Sequence, residues 1–305
     1  MNDIRIDPNF ELVTINSFDD IRKCPAYRED IDIKQHKISK LIGDYTFKEQ
    51  VHCGLKNCHT PHNTGFLAVT EDGLETNIGH VCGNKWSGDN FAIQKRQFKQ
   101  IKEYQQHSQL LNATIANKTS ISARIKEISE RKYGAKWLQN SISNFRDICP
   151  SDIYKELIRR ASRNELNVIL ARERTSDEIA TLQAMNPNAP RDSLRYEEKV
   201  IGLLSGLEIF KTSIHDLLIV QVANKLTELS QKQISLLKIS ERRKFVEWAN
   251  QIENHFTEAE ELLASCLRFF HEDNLKYLPH LTKDTNNQLQ IRRLKWNLDK
   301  STGNY

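Results

Sequence analysis

Seven of the sixteen cysteines and histidines in this 305-residue chain fall within the 31 residues from His52 to Cys82, where an even spread would put one or two. They are His52, Cys53, Cys58, His59, His62, His80 and Cys82. Thiolate and imidazole suit a borderline-soft divalent cation, and Zn²⁺ takes about four such ligands in a tetrahedron. Two short turns supply them, Cys53-x4-Cys58 and the run Gly79-His80-Val81-Cys82-Gly83, with a hairpin pattern between. Cys53, Cys58 and Cys82 are the expected metal ligands, and the fourth is a choice between His62 and His80. His52 and His59 read as solvated side chains. Three sulfurs and one nitrogen close the tetrahedron and leave no position for a reacting water, so the expected Zn²⁺ is structural.

No other chemistry is signalled. The chain has no P-loop, G-x-S-x-G, H-E-x-x-H or dinucleotide fingerprint, which points away from an enzyme. One enzymatic alternative is a His-metal-type nuclease with His62-Asn63 on a hairpin-helix frame, but the next histidine on the following helix, His107, lies about five turns in. The group His271-Glu272-Asp273 with His280 reads as a solvated helix end and loop.

The elements that must position the cluster are drawn by glycine and proline. Six of the eleven glycines lie from Gly54 to Gly88, none lies in 89–133, and 63–149 has no proline. A turn-rich module followed by a long helix is predicted. Within the module, residues 65–70 (GFLAVT) and 74–78 read as strands joined at Glu71-Asp72-Gly73, with Trp86 packing on the hairpin. Upstream, Ser17 reads as a helix cap, Pro25 as a stop and 44–52 as a strand entering the first turn.

That order, cysteine turn, hairpin, second cysteine turn, helix, is the treble-clef arrangement. The stretch Asn77-Ile78-Gly79-His80-Val81-Cys82-Gly83-Asn84-Lys85 resembles the second half, G-I-G-P-x-C-G followed by Lys, of treble-clef zinc fingers common in phage and mobile-element proteins. The resemblance covers about 35 residues of 305 and departs in its first turn, which has four intervening residues where two are usual. It implies a zinc-finger fold for residues 51–88 and a setting in phage-host or mobile-element biology. Proline stands at the position of His80 in the resembling pattern, which favours His62 as fourth ligand.

Beyond the finger, Phe91, Phe98, Ile101, Leu111, Ile115, Ile121, Ile125 and Ile128 form a thin apolar stripe with coiled-coil-like spacing. A helix of some 44 residues would be roughly 65 Å long and needs a partner. Residues 192–237 carry a second heptad-like pattern from Val200 through Val222 and are the expected antiparallel partner. The whole reads as mainly α. Residues 1–50 are a segment packing on the finger and 51–88 the finger. Residues 89–149 hold a long basic helix and a short one, 150–191 short helices and a loop, 192–282 a long helix and bundle, and 283–305 a polar basic tail.

The net charge of +4 is unevenly spread, with ten Lys/Arg against three Glu from Phe91 to Lys136. Lys95, Arg96, Lys99 and Lys102 stand directly beyond the finger, where a basic strip suits the phosphate backbone of a nucleic acid. The expected function is a non-enzymatic binding or adaptor protein contacting nucleic acid through that helix and self-associating through the coiled coil into a homo-oligomer. The alternative is a protein-directed scaffold or inhibitor. No apolar run approaches the ~18 residues of a membrane span, and the start of the sequence shows no secretory pattern, so no membrane partner and a cytoplasmic location are expected. Cys24, Cys149 and Cys266, scattered singly, read as reduced thiols.

Overall fold

The fold is given by a computed structural model that describes residues 12–304. The first eleven residues of the expected N-terminal segment, and the last residue of the tail, lie outside that range. Two compact units divide the chain, Met1–Asn112 with Ile234–Arg243, and Ala113–Gln233 with Lys244–Tyr305. About 58% of the protein is helical, with small antiparallel sheets, so the mainly-α reading holds.

In the first unit a short helix, α1 (Phe18–Arg22), follows Ser17, and the Asp20 carboxylate accepts the backbone N–H groups of Asn16 and Ser17 at 3.0 and 2.9 Å. Three strands follow, β1 (Ile38–His52), β2 (Pro61–Thr70) and β3 (Glu75–Gly79), in an antiparallel sheet with β2 central. The run Phe66-Leu67-Ala68 is apolar without alternation because both faces of β2 are covered. Phe66 and Ala68 join Ile38, Ile78, Phe91 and Phe98 on one face. Leu67 joins Ile21, Ile42 and Tyr45 on the other. Gly73, at φ 87°, makes the β2–β3 turn where Asp-Gly predicts it. The chain then enters α2 (His80–Ala116), which bends at Gly88 (φ 48°, ψ −127°). The helix thus starts earlier than the sequence suggests, and Cys82 lies in its first turn.

The second unit contains α3 (Lys118–Glu130), α4 (Ala135–Ile148), α5 (Ser151–Arg163), β4 (Asn167–Glu173), α6 (Ser176–Met185), β5 (Tyr196–Leu203), α7 (Lys225–Ser230) and most of α8 (Ile239–Phe269). It ends with α9 (Glu272–Leu275), α10 (Thr285–Arg292), β6 (Lys295–Asn297) and β7 (Thr302–Asn304). Its core centres on Phe145, fully buried and ringed by Tyr154, Phe210, Phe269, Phe270 and Trp296 at centroid distances of 5.4–6.4 Å.

Two expectations about the helices are corrected. The uninterrupted basic rod ends at Ala116 and restarts at Lys118, where the apolar spacing slips. Residues 192–237 are not a long helix: they form β5, a 3₁₀ turn at Leu207–Phe210, a π-helical stretch at Asp216–Asn224, and α7. The heptad-like count ran across two glycines that forbid it. Gly202 lies against the Tyr277 ring, and Gly206 adopts φ 75° with the Ser265 carbonyl where a Cβ would go. Within that segment the π-helical stretch still packs against α3, which is also tied to α8 through the ion pair of Arg124 with Glu253 at 2.7 Å, that of Arg131 with Glu260, and Arg124 over the Phe256 ring at 4.2 Å. Truncation of the Phe145 ring empties the centre of the second unit, and Phe145→Ala is expected to cost about 3–5 kcal/mol, measured as a lowered denaturation midpoint in urea.

Candidate metal centre and the root of the basic helix

The turn between β1 and β2 carries Cys53 and Cys58. Its backbone is stitched to β3: the Gly54 N–H donates to the Asn77 carbonyl at 2.9 Å, the Thr76 hydroxyl to the Gly54 carbonyl at 3.2 Å, and the Asn77 amide to the His52 carbonyl at 2.8 Å. Positive φ at Asn57 (64°) and His59 (45°) curls the chain on either side of Cys58. Cys82 arrives from the first turn of α2, which begins where β3 ends. The three sulfurs lie within 4.8 Å of one another, with Cys53 and Cys82 buried and Cys58 half-buried.

Burial pushes the Cys53 thiol up to about 12, the neighbouring thiols adding to the shift. Burial and then Cys58 raise Cys82. For Cys58 burial also acts upward, but hydrogen bonds from Thr60 and the other two thiols outweigh it and bring it down to about 7. Three sulfurs this close cannot all ionise without a compensating cation, and a bound divalent cation deprotonates its thiols outright. The donor set fits a thiophilic metal ion such as zinc, held by Cys53, Cys58 and Cys82.

The expected fourth ligand is placed elsewhere. His62 Nδ1 lies 3.0 Å from the Thr60 carbonyl, and Nε2 lies 2.6 Å from the Tyr45 hydroxyl. A carbonyl only accepts, so Nδ1 carries the proton and Nε2 accepts from Tyr45. Both nitrogens are engaged in a chain that continues from Tyr45 to the Asn77 amide at 3.4 Å and from Asn77 to Tyr27 at 2.8 Å. His80 sets its ring edgewise on Phe66 at 4.6 Å, and burial, then Lys95 and His62, lower its pKa. His59 Nε2 meets Asp30 at 3.1 Å, and His52 is exposed. Among the described residues the metal-competent group is the three cysteines alone. The His62-Asn63 pair also serves the fold, since the Asn63 amide donates to the Phe47 and Lys48 carbonyls at 3.3 and 3.1 Å. No motif announces the Tyr45–Asn77–His62 chain; only the register, which sets Tyr45 opposite Gly65, brings these groups together.

The basic strip is divided by its partners. Lys102 is bound by Asp44, with Nζ 2.6 and 2.8 Å from the two carboxylate oxygens. Farther along, Arg124, Arg131, Lys132 and Lys136 pair with Glu253, Glu260, Asp299 and Glu130. Lys95, Arg96 and Lys99 form no ion pair among the described residues, and Lys95 rests its ammonium 5.8 Å from the Phe91 ring. The longest run of the basic strip without an ion pair among the described residues therefore stands at the root of α2.

No protein-family model, curated protein or solved structure matches the chain. The metal assignment therefore rests on geometry, and it separates two sets of variants. Cys53→Ser, Cys58→Ser and Cys82→Ser are each expected to lower metal affinity by tenfold or more, on the order of a lost ligand, whereas His62→Ala retains bound metal. Metal content per chain by elemental analysis after dialysis distinguishes them; stoichiometric metal in all three cysteine variants would reject the centre.

Proposed function

We propose that the protein is a non-enzymatic binding or adaptor protein in which Zn²⁺ staples a treble-clef-type module and holds the root of α2 for contact with nucleic-acid phosphates. The observation that supports this reading is the partition of charge along the basic helix. Lys95, Arg96 and Lys99 occupy just over one turn without an ion pair among the described residues, Lys99 lying only within the field of Glu103, which Arg243 holds at 2.7 Å, while Lys102 and four of the six basic residues farther along are neutralised within the chain. An exposed cationic turn releases counterions from a phosphate backbone and needs no base contact, so the binding would be sequence-tolerant and salt-sensitive. Zinc is favoured because three thiolates select soft or borderline divalent ions. A reducing, cytoplasmic setting fits three further thiols that remain unpaired, Cys24, Cys149 and Cys266. The likeness of the finger to those of phage and mobile-element proteins suggests a role in such biology.

A protein-directed scaffold is the second reading, favoured by two exposed apolar side chains on α2, Val81 (76% exposed) and Ile93 (48%). Binding to a fluorescent DNA or RNA duplex titrated with salt separates the two. Under the nucleic-acid reading, Lys95→Glu/Arg96→Glu/Lys99→Glu flattens the log–log salt slope by about 2–3 and leaves metal content unchanged. Absence of salt-dependent binding by the unaltered protein would leave the scaffold reading standing.

A further inference from the structure

A zinc-type ion takes about four donors, and the described part of this chain brings three to one point. The other candidates are held by bonds of their own. Both His62 nitrogens are engaged, with Thr60 and Tyr45 at 3.0 and 2.6 Å, and the ring lies against Gly79, where a Cβ would come within 2.9 Å of it. Swinging His62 toward the sulfurs would take the acceptor from the buried Tyr45 hydroxyl. His80 stands edgewise on Phe66 at 4.6 Å, and His59 pairs with Asp30 at 3.1 Å. His52, exposed at the end of β1, stands outside the group as well. Residues 1–11 and Tyr305, outside the described range, contain neither cysteine nor histidine.

Burial sets the side from which a fourth donor can approach. Cys53 (1% exposed) and Cys82 (4%) belong to the apolar cluster that holds Leu55, Ile78 and Phe91. Cys58 is only half-buried and begins an exposed run, His59-Thr60-Pro61. The Thr60 hydroxyl stands 3.5 Å from Cys58 Sγ. An alcohol is a hard, neutral group that hydrogen-bonds a thiolate and competes poorly with a soft donor for the ion.

We propose that the fourth position of the metal centre is filled from outside the chain, at the exposed face of the turn over residues 58–61, by a small exchangeable thiolate. The inference rests on the reading of Cys53, Cys58 and Cys82 as a metal centre and adds a ligand to it. Three sulfurs select a soft or borderline ion, and such an ion takes a further thiolate in preference to a carboxylate or an alcohol. Cys82 lies in the first turn of α2, whose free N–H groups and aligned peptide dipoles favour added negative charge. Cys58 is only partly exposed, so the approach suits a thiol of side-chain size. The step is ligand exchange: a metal–sulfur bond forms, the thiol proton passes to solvent, the solvent molecule it displaces leaves, and nothing is oxidised or reduced. The stability of the finger would then follow the concentration of free thiol.

Cobalt(II) loaded into the full-length protein without oxygen tests this, because its ligand-field spectrum reads the donor set directly. The probe is 2-mercaptoethanol, and ethylene glycol, its oxygen analogue, is the control. One cobalt per chain is expected, with a spectrum that shifts saturably on adding the thiol, half-complete at or below about 1 mM, while the metal stays bound. Ethylene glycol is expected to change nothing, and His62→Ala and His80→Ala to leave the starting spectrum as it is. If a histidine variant does not fold, titration of the unaltered protein decides alone. A spectrum indifferent to thiol up to about 10 mM would overturn the proposal even with cobalt bound. So would a starting spectrum altered in a folded histidine variant, an equal shift with ethylene glycol, removal of the cobalt by the thiol, or one cobalt shared between two chains. Protein that takes up no cobalt rejects the metal centre itself, and with it the reading on which this inference rests.

Discussion

The double pairing of β2, with β1 on one side and β3 on the other, governs the first unit. It fixes Tyr45 opposite Gly65 and Gly65 opposite Gly79, so the end of β1 and the start of α2 meet across one central strand. The approach is close enough that Gly65 leaves no room for a Cβ beside the Tyr45 hydroxyl, and Gly79 places its Cα against the His62 ring. Cys53 leaves β1 and Cys82 enters α2 at that same edge. The thiols therefore converge because of backbone hydrogen bonds and the burial of Phe66 against Phe91 and Phe98, at 5.9 and 5.5 Å. The scaffold brings the sulfurs together, and the metal would then relieve the repulsion this creates.

That order of causes also accounts for how the cysteines are packed. Cys53 and Cys82 belong to the same apolar cluster as Leu41, Leu55 and Ile78, so they act as small core residues as well as donors. A buried thiol in such a cluster resists ionisation, as the upward shift of Cys53 shows. Cation binding must then displace protons from groups that hold them firmly, and metal uptake and proton release are tied together.

Legibility in the sequence followed sequence distance. The Cys53, Cys58 and Cys82 triad, the hairpin at Glu71-Asp72-Gly73 and the Phe91/Phe98 face of α2 were readable because each depends on local spacing or on residue types with few other uses. That His62 stands apart from the three sulfurs was not readable, because its partner Tyr45 lies seventeen residues upstream and meets it only through strand register. The helix expected over 192–237 failed on the tolerance of a heptad count: Val200, Leu203, Leu207 and Phe210 satisfy it, while Gly202 and Gly206 between them need close approach and positive φ. The basic strip was visible as composition, but its division into paired and unpaired parts depends on carboxylates as distant as Asp44 and Glu253.

The surroundings of the three sulfurs favour negative charge at this place in the fold. Three thiolates around a divalent cation carry a net charge of about −1, which a neutral histidine donor would leave unchanged. Cys82 stands in the first turn of α2, where unsatisfied N–H groups and the aligned peptide dipoles present roughly half a positive charge. Burial first, and then Lys95, depress His80, so a positive charge stands close to the start of α2. A field of that sign stabilises an anionic thiolate cluster and disfavours protonated imidazole. His62 links Thr60 and Tyr45, and the sulfurs alone meet at the edge of the sheet.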